Sequence, residues 1–163
     1  AKAIGGGTPV GAFGGRAEIM DEIKHGVAAL GTFNGNPLSM AAGLATVTEV
    51  LTPDAYEHLA KLGTRLAQGC QDVLDAAGVP AVTIDLGCKG SITFRDRPLE
   101  AYRDFKEIDD ALFDAYWYFV VNRGIYMTPG KDEQWTISVQ HSEEDVDRCV
   151  EALSEYCKTV ASS

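Results

Sequence analysis

Lys2 stands shortly before the glycines Gly5, Gly6 and Gly7, a combination that could serve covalent chemistry. An amine nucleophile must come close to a flat cofactor and sit in a partly desolvated place that lowers its pKa. Glycines permit that approach, although a lysine ahead of glycines is ordinarily a surface residue. A second place is Gly31-Thr32-Phe33-Asn34-Gly35-Asn36-Pro37, where a hydroxyl and backbone N–H groups precede a helix start, an arrangement suited to phosphate. A cap followed by a turn accounts for Asn36 and Pro37 without a ligand but gives no reason for Gly31-Thr32. Glu133, beside Trp135, is a lone carboxylate near a turn, and its default reading is a solvated side chain.

Other chemistries fit poorly. The glycines between Gly5 and Gly15 match neither a dinucleotide fingerprint, which needs a preceding strand, nor a phosphate loop, which needs Gly-Lys-Ser/Thr. Cys70, Cys88, Cys149 and Cys157 lack close pairs, and His25, His58 and His141 belong to no metal-ligand pattern, so no metal is expected. The run Glu143-Glu144-Asp145 reads as complementing a helix dipole. Tyr116, Trp117, Tyr118 and Phe119 could line a ligand pocket, but their helical spacing favours core packing.

The elements that must hold these residues follow from local signals. Residues 4–16 suit turns and a brief strand around residues 10–13. A short helix over residues 17–23 precedes a longer one over residues 38–51, opened by Asn36 and Pro37. Thr52-Pro53 opens another helix, with Tyr56, Leu59, Leu62, Leu66, Cys70, Val73 and Leu74 at helical spacing, which stops at Gly78. Residues 82–86 and 91–94 read as strands around a turn, followed by a polar loop. Ile108, Leu112, Tyr116, Phe119 and Val120 give the stripe of a helix closing at Gly124; short strands are expected at residues 125–127 and 135–139. Ser142 with Asp145 resembles a capping box for a last helix whose apolar face holds Val146, Cys149, Val150, Leu153 and Cys157.

With 163 residues, ordinary apolar content and mixed charge, the chain can bury one core or two small ones. Its 14 basic and 24 acidic side chains give a formal charge of -10, which repels nucleic acid and anionic membranes. The apolar stretches fall far short of the ~20 residues that cross a bilayer, and the thiols read as reduced, so a cytoplasmic protein is expected. The chain enters its glycine run at Ala1-Lys2-Ala3-Ile4 with no preceding element, as though cut inside a domain.

Taken together, AKAIGGGTPVGAFGGRAEIM, GTFNGNPLSMAAG, NRGIYMTPGKDE and SVQHSEEDVD follow, in order and at nearly family spacing, the C-terminal portion of class III aminotransferases. The chain resembles most the glutamate-1-semialdehyde aminomutases and their relatives, over essentially its whole length. That resemblance implies pyridoxal 5'-phosphate as cofactor and Lys2 as the lysine covalently joined to it. Released by the substrate amine, this lysine would carry a proton between substrate and cofactor, as base and then acid. Gly31 and Thr32 would bind the phosphate of the cofactor held by the neighbouring subunit, making a homodimer with shared active sites, and Glu133 would lie near the substrate pocket. The segment between Gly15 and Gly31 is shorter than in typical aminomutases and lacks their Gly-Pro-Met-Tyr, and Phe33-Asn34 replaces the usual Leu-Ser.

The resemblance further implies an α/β fold: the C-terminal part of a fold type I transferase, with residues 1–51 ending the large cofactor-binding domain and residues 52–163 forming a small α+β C-terminal domain. The substrate would be a small amino acid or amine, and the remaining cofactor contacts would come from a missing N-terminal part, without which the fragment is expected to be inactive. An amine or β-amino-acid transaminase of the same family is the alternative. A non-catalytic dimerisation module is the alternative from another class.

Overall fold

The computed structural model describes residues 3–29 and 31–161. The chain divides into two compact units, Ala1–Tyr56 and Glu57–Ser163, with the boundary inside one helix.

Among its described residues the first unit has a 3-10 turn, Ala3–Gly5, and the helices α1 (Ala17–Met20) and α2 (Pro37–Ala45). Helix α1 runs into a 3-10 segment, Asp21–His25, ended by Gly26 at φ 103°. Helix α2 starts where the sequence predicts. Asn36 Oδ1 accepts hydrogen bonds from the N–H groups of Leu38 (3.0 Å) and Ser39 (3.3 Å), and Pro37 occupies the first turn. The helix then widens into a π-helical turn, Thr46–Val50, closed by the Leu51 N–H on the Thr46 carbonyl at 3.0 Å. No strand forms at residues 10–13: among the described residues no second strand pairs with this stretch, and an extended segment becomes a strand only when a ladder takes up its backbone groups.

Helix α3 (Pro53–Ala77) is capped by Thr52, whose Oγ1 accepts from the Ala55 N–H at 3.3 Å. Gly78, at φ 65°, ends it, with the Val79 N–H returning to the Leu74 carbonyl at 3.1 Å. Its buried side, Leu59, Leu62, Leu66, Cys70 and Leu74, repeats every three or four residues and faces the core of the second unit.

That core is closed by a three-stranded antiparallel sheet and two further long helices. Strands β1 (Val82–Asp85) and β2 (Lys89–Thr93) form a hairpin in the register Val82↔Thr93 and Asp85↔Gly90; Gly87, at φ 73°, makes its turn. The expected polar loop after β2 contains a helical turn, α4 (Tyr102–Phe105), because Asp104 Oδ2 accepts from the N–H groups of Glu100 and Ala101. Helix α5 (Asp110–Val121) begins after the Asp109 cap and buries Phe113, Tyr116 and Val120. Helix α6 (Glu143–Ala161) buries Val146, Ala152, Leu153, Tyr156 and Cys157, and Ser142 with Asp145 caps it reciprocally as expected.

Tyr116, Trp117 and Phe119 of the aromatic run on α5 pack on the core, whereas Tyr118 is exposed. Tyr116 meets Phe94 and Tyr156 edge-to-face at centroid distances of 5.8 and 5.6 Å, and the Tyr156 hydroxyl donates to the Leu112 carbonyl at 2.9 Å. Residues 125–127 form no strand: the Ile125 N–H closes α5 on the Val120 carbonyl, and the Met127 carbonyl accepts from Trp117 Nε1 at 2.7 Å. Strand β3 is only Trp135–Thr136, paired with β2. Beyond it the Ser138 N–H donates to His141 Nδ1 at 2.9 Å, turning the chain toward α6.

Candidate functional site

Lys2 lies outside the described residues. The turn that follows it is closed by local hydrogen bonds. The Gly6 N–H donates to the Ala3 carbonyl at 3.2 Å, the Thr8 N–H and hydroxyl both donate to the Gly5 carbonyl (2.9 and 2.7 Å), and Gly5 is buried. Gly6 and Gly7 adopt φ of 55° and 92°, left-handed backbone that side chains resist. A Cβ on Gly6 would also come within 2.9 Å of Thr46 Oγ1 and 3.5 Å of the Ala42 carbonyl oxygen. One on Gly43 would touch the Ile4 carbonyl oxygen at 3.5 Å. The turn therefore rests on the last turns of α2, an approach between residues 40 positions apart that only small residues allow.

The opposite end of α2 carries the second candidate. In residues 31–36 the Asn34 N–H donates to the Gly31 carbonyl at 3.0 Å and the Asn36 N–H to the Phe33 carbonyl at 3.1 Å, while Asn34 Nδ2 reaches the Ala29 carbonyl at 3.3 Å. A Cβ on Gly31 would lie 2.7 Å from Asn34 Oδ1, so a side chain there would displace the Asn34 amide. Gly31 and Thr32 are exposed, and among the described residues the Thr32 hydroxyl has no hydrogen-bond partner. A solvent-facing hydroxyl on a hydrogen-bonded turn ahead of a helix N-terminus is a donor set that suits a phosphate.

Glu133 sits in the second unit, on an exposed turn at residues 130–133 where its N–H donates to the Gly130 carbonyl at 3.0 Å. Gly130, at φ 114°, makes the bend. Next to it, Gln134 and Trp135 enter the wall of a cavity of about 350 Å³ floored by Cys70, Tyr116 and Cys149. Burial pushes the Cys70 thiol up to about 12 and raises Cys149 and Tyr116 as well, so these groups stay protonated and supply no nucleophile. The acidic run beside it is structural: Glu143 pairs with Lys61 at 2.6 Å, and among the described residues no cluster could hold a metal.

The family model for class III aminotransferases matches residues 1–155. The chain belongs to the class III aminotransferase family. It is 40% identical over 158 residues to the glutamate-1-semialdehyde 2,1-aminomutase of Thermus thermophilus, a match covering 94% of this chain and 37% of that protein. Among solved structures it resembles an omega-transaminase from Sphaerobacter thermophilus (34% identity, TM-score 0.86) and a β-phenylalanine aminotransferase from Variovorax paradoxus (30% identity, TM-score 0.88). Each of these matches covers 98% of this chain and 37% of the other. The chain thus spans little more than a third of the length of its class III relatives, with the fold expected of a C-terminal part.

Two residues of this class III chain to which the sequence assigned no function take part in the local geometry. Asn34 braces the Gly31-Thr32 turn from within, and Thr46 abuts the turn behind Lys2. Asn34 lies inside a motif already marked as unusual and could have been found there. Thr46 gave no local signal, being one more residue in an apparently uniform helix.

Proposed function

We propose that this chain is the C-terminal part of a pyridoxal-phosphate enzyme that moves amino groups, of the glutamate-1-semialdehyde aminomutase type. The 40% identity to an aminomutase supports that subtype. On this reading residues 1–51 end the large domain and residues 52–163 form the small one. Lys2 is the catalytic residue, and its amine binds the cofactor and then carries a proton to and from the substrate carbon. Gly31 and Thr32 hold the phosphate of the cofactor bound in the neighbouring subunit, so the protein works as a homodimer in the cytoplasm. The bound cofactor supplies the electron sink that lets a C–H bond beside the amine ionise. Glu133 borders the pocket for a small amino-acid or amine substrate.

The observation that carries the reading is the unengaged Thr32 hydroxyl on an exposed, braced turn within a chain matched by the family model from its first residue. Borohydride reduction of the full-length protein with pyridoxal phosphate, followed by peptide mapping, tests it. Label on Lys2 is expected; label on another lysine, or on none, overturns the assignment. Conversion of glutamate-1-semialdehyde without an added amino donor is the outcome expected of a mutase. The similarity to an omega-transaminase and a β-phenylalanine aminotransferase favours a second reading, an amine or β-amino-acid transaminase. Strict dependence on donor and keto acceptor would select it.

A further inference from the structure

Of the five residues after Lys2 only Ile4 carries a sizeable side chain, so most of this segment must be held through its backbone. Residues 3–7 contain three glycines, two of them at positive φ, and a free glycine segment samples many conformations. Its own hydrogen bonds are local, spanning three residues. Beyond its neighbours in the chain, the segment meets Ala42 and Gly43 of α2 and Thr46 of the π-helical turn, which face Ile4 and Gly6. Thr46 occupies a singular place there. Its hydroxyl donates to the Ala42 carbonyl at 2.9 Å, which fixes the rotamer, and its backbone carbonyl begins the π-helical turn. The locked Oγ1 lies where a Cβ on Gly6 would meet it at 2.9 Å.

We infer that Thr46 is a positioning residue for the lysine chemistry, its side chain forming the wall against which the Ile4–Gly6 backbone is seated. The inference rests on the assignment of Lys2 above. A long, flexible lysine delivers its amine accurately only if its backbone origin is fixed, and displacements of about 1 Å remote from the reacting atoms can cost on the order of 100-fold in rate. Serine retains the oxygen and its hydrogen bond to Ala42. Alanine removes the wall but adds no bulk, and leucine pushes into the turn.

The test uses the full-length holoenzyme carrying Thr46→Ser, Thr46→Ala or Thr46→Leu. Four quantities are read: kcat, KM, the pH midpoint of the visible absorbance of the lysine-bound cofactor in resting enzyme, and the rate of borohydride labelling. Thr46→Ala is expected to lower kcat by about 10-fold, to leave KM within about twofold, and to move both resting-state readings; Thr46→Ser restores all three. If Thr46→Leu fails to fold, Thr46→Ala still decides the question. An unchanged pH midpoint and labelling rate in Thr46→Ala, or a loss confined to melting temperature, overturns the inference. Label found off Lys2 in the unaltered protein would instead overturn the assignment of Lys2 itself.

Discussion

Gly63 and Gly87 are in backbone contact: a Cβ on Gly63, in the middle of α3, would overlap the carbonyl oxygen of Gly87 in the hairpin turn. Neither the helix nor the turn has a flexible atom there to move aside. Gly63→Ala is therefore expected to destabilise the protein by at least the ~1–3 kcal/mol typical of overpacking, although alanine favours helices. Gly69→Ala is the control on the same helix, because its Cβ would press only on the Val150 side chain, at 2.8 Å from Cγ2. Urea unfolding of the two variants should place Gly63→Ala well below Gly69→Ala.

Thr32→Val removes a hydroxyl and keeps the shape of the side chain. On the proposed role, one hydrogen bond to a charged phosphate is lost, about 1.5–3 kcal/mol, which weakens cofactor binding by about 10- to 100-fold. Absorbance titration of the full-length apoenzyme with pyridoxal phosphate measures this. Thr32→Ser should bind nearly as the parent does, and an unchanged affinity in Thr32→Val removes Thr32 from the phosphate site.

The cap of α6 makes stability depend on pH in a definite direction. The backbone N–H and then the hydroxyl of Ser142 donate to Asp145 and hold its carboxyl below the ordinary carboxylate value. A depressed folded-state value means a contribution that is present above the unfolded pKa, about 3.9 for Asp, and lost as pH falls through the folded value. Asp145→Asn should thus melt lower than the parent from about pH 5 upward. The two melting curves should converge in stronger acid. A constant gap at every pH would mean that the carboxylate charge contributes nothing.

Cys70 is buried, and its thiol is pushed up to about 12 by that burial. At pH 8 it should resist iodoacetamide in the native protein and react once urea unfolds it. Peptide mass mapping before and after unfolding reads the difference, and rapid native labelling of Cys70 would contradict the packing between α3, α5 and α6.

What could be read from residue order alone was what depends on neighbours in the chain. Asn36-Pro37, Thr52-Pro53 and the Ser142 and Asp145 pair announce helix starts because a cap is a contact across two or three residues. The glycines at 78 and 124 announce helix ends for the same reason. Strands were less legible, since residues 10–13 and 125–127 have suitable side chains but no ladder; in the second case an indole and a helix end take the backbone groups first. The proposed roles of Lys2, Gly31 and Thr32 rest on resemblance to a family, and the residue order by itself left each of them ambiguous. Thr46 was invisible because its meaning lies in an approach to Gly6, forty residues earlier.

The left-handed glycines behind Lys2 also set rules for anyone wishing to diversify this protein. Positions 6 and 7 admit almost no alphabet beyond the smallest residue, since their backbone excludes the others regardless of chemistry. Tyr126, at 84% exposure, Asp132 and Glu133 project from ordinary backbone into solvent, and randomising them should leave the scaffold intact. A mutant library that froze the former and varied the latter would keep most of its members folded.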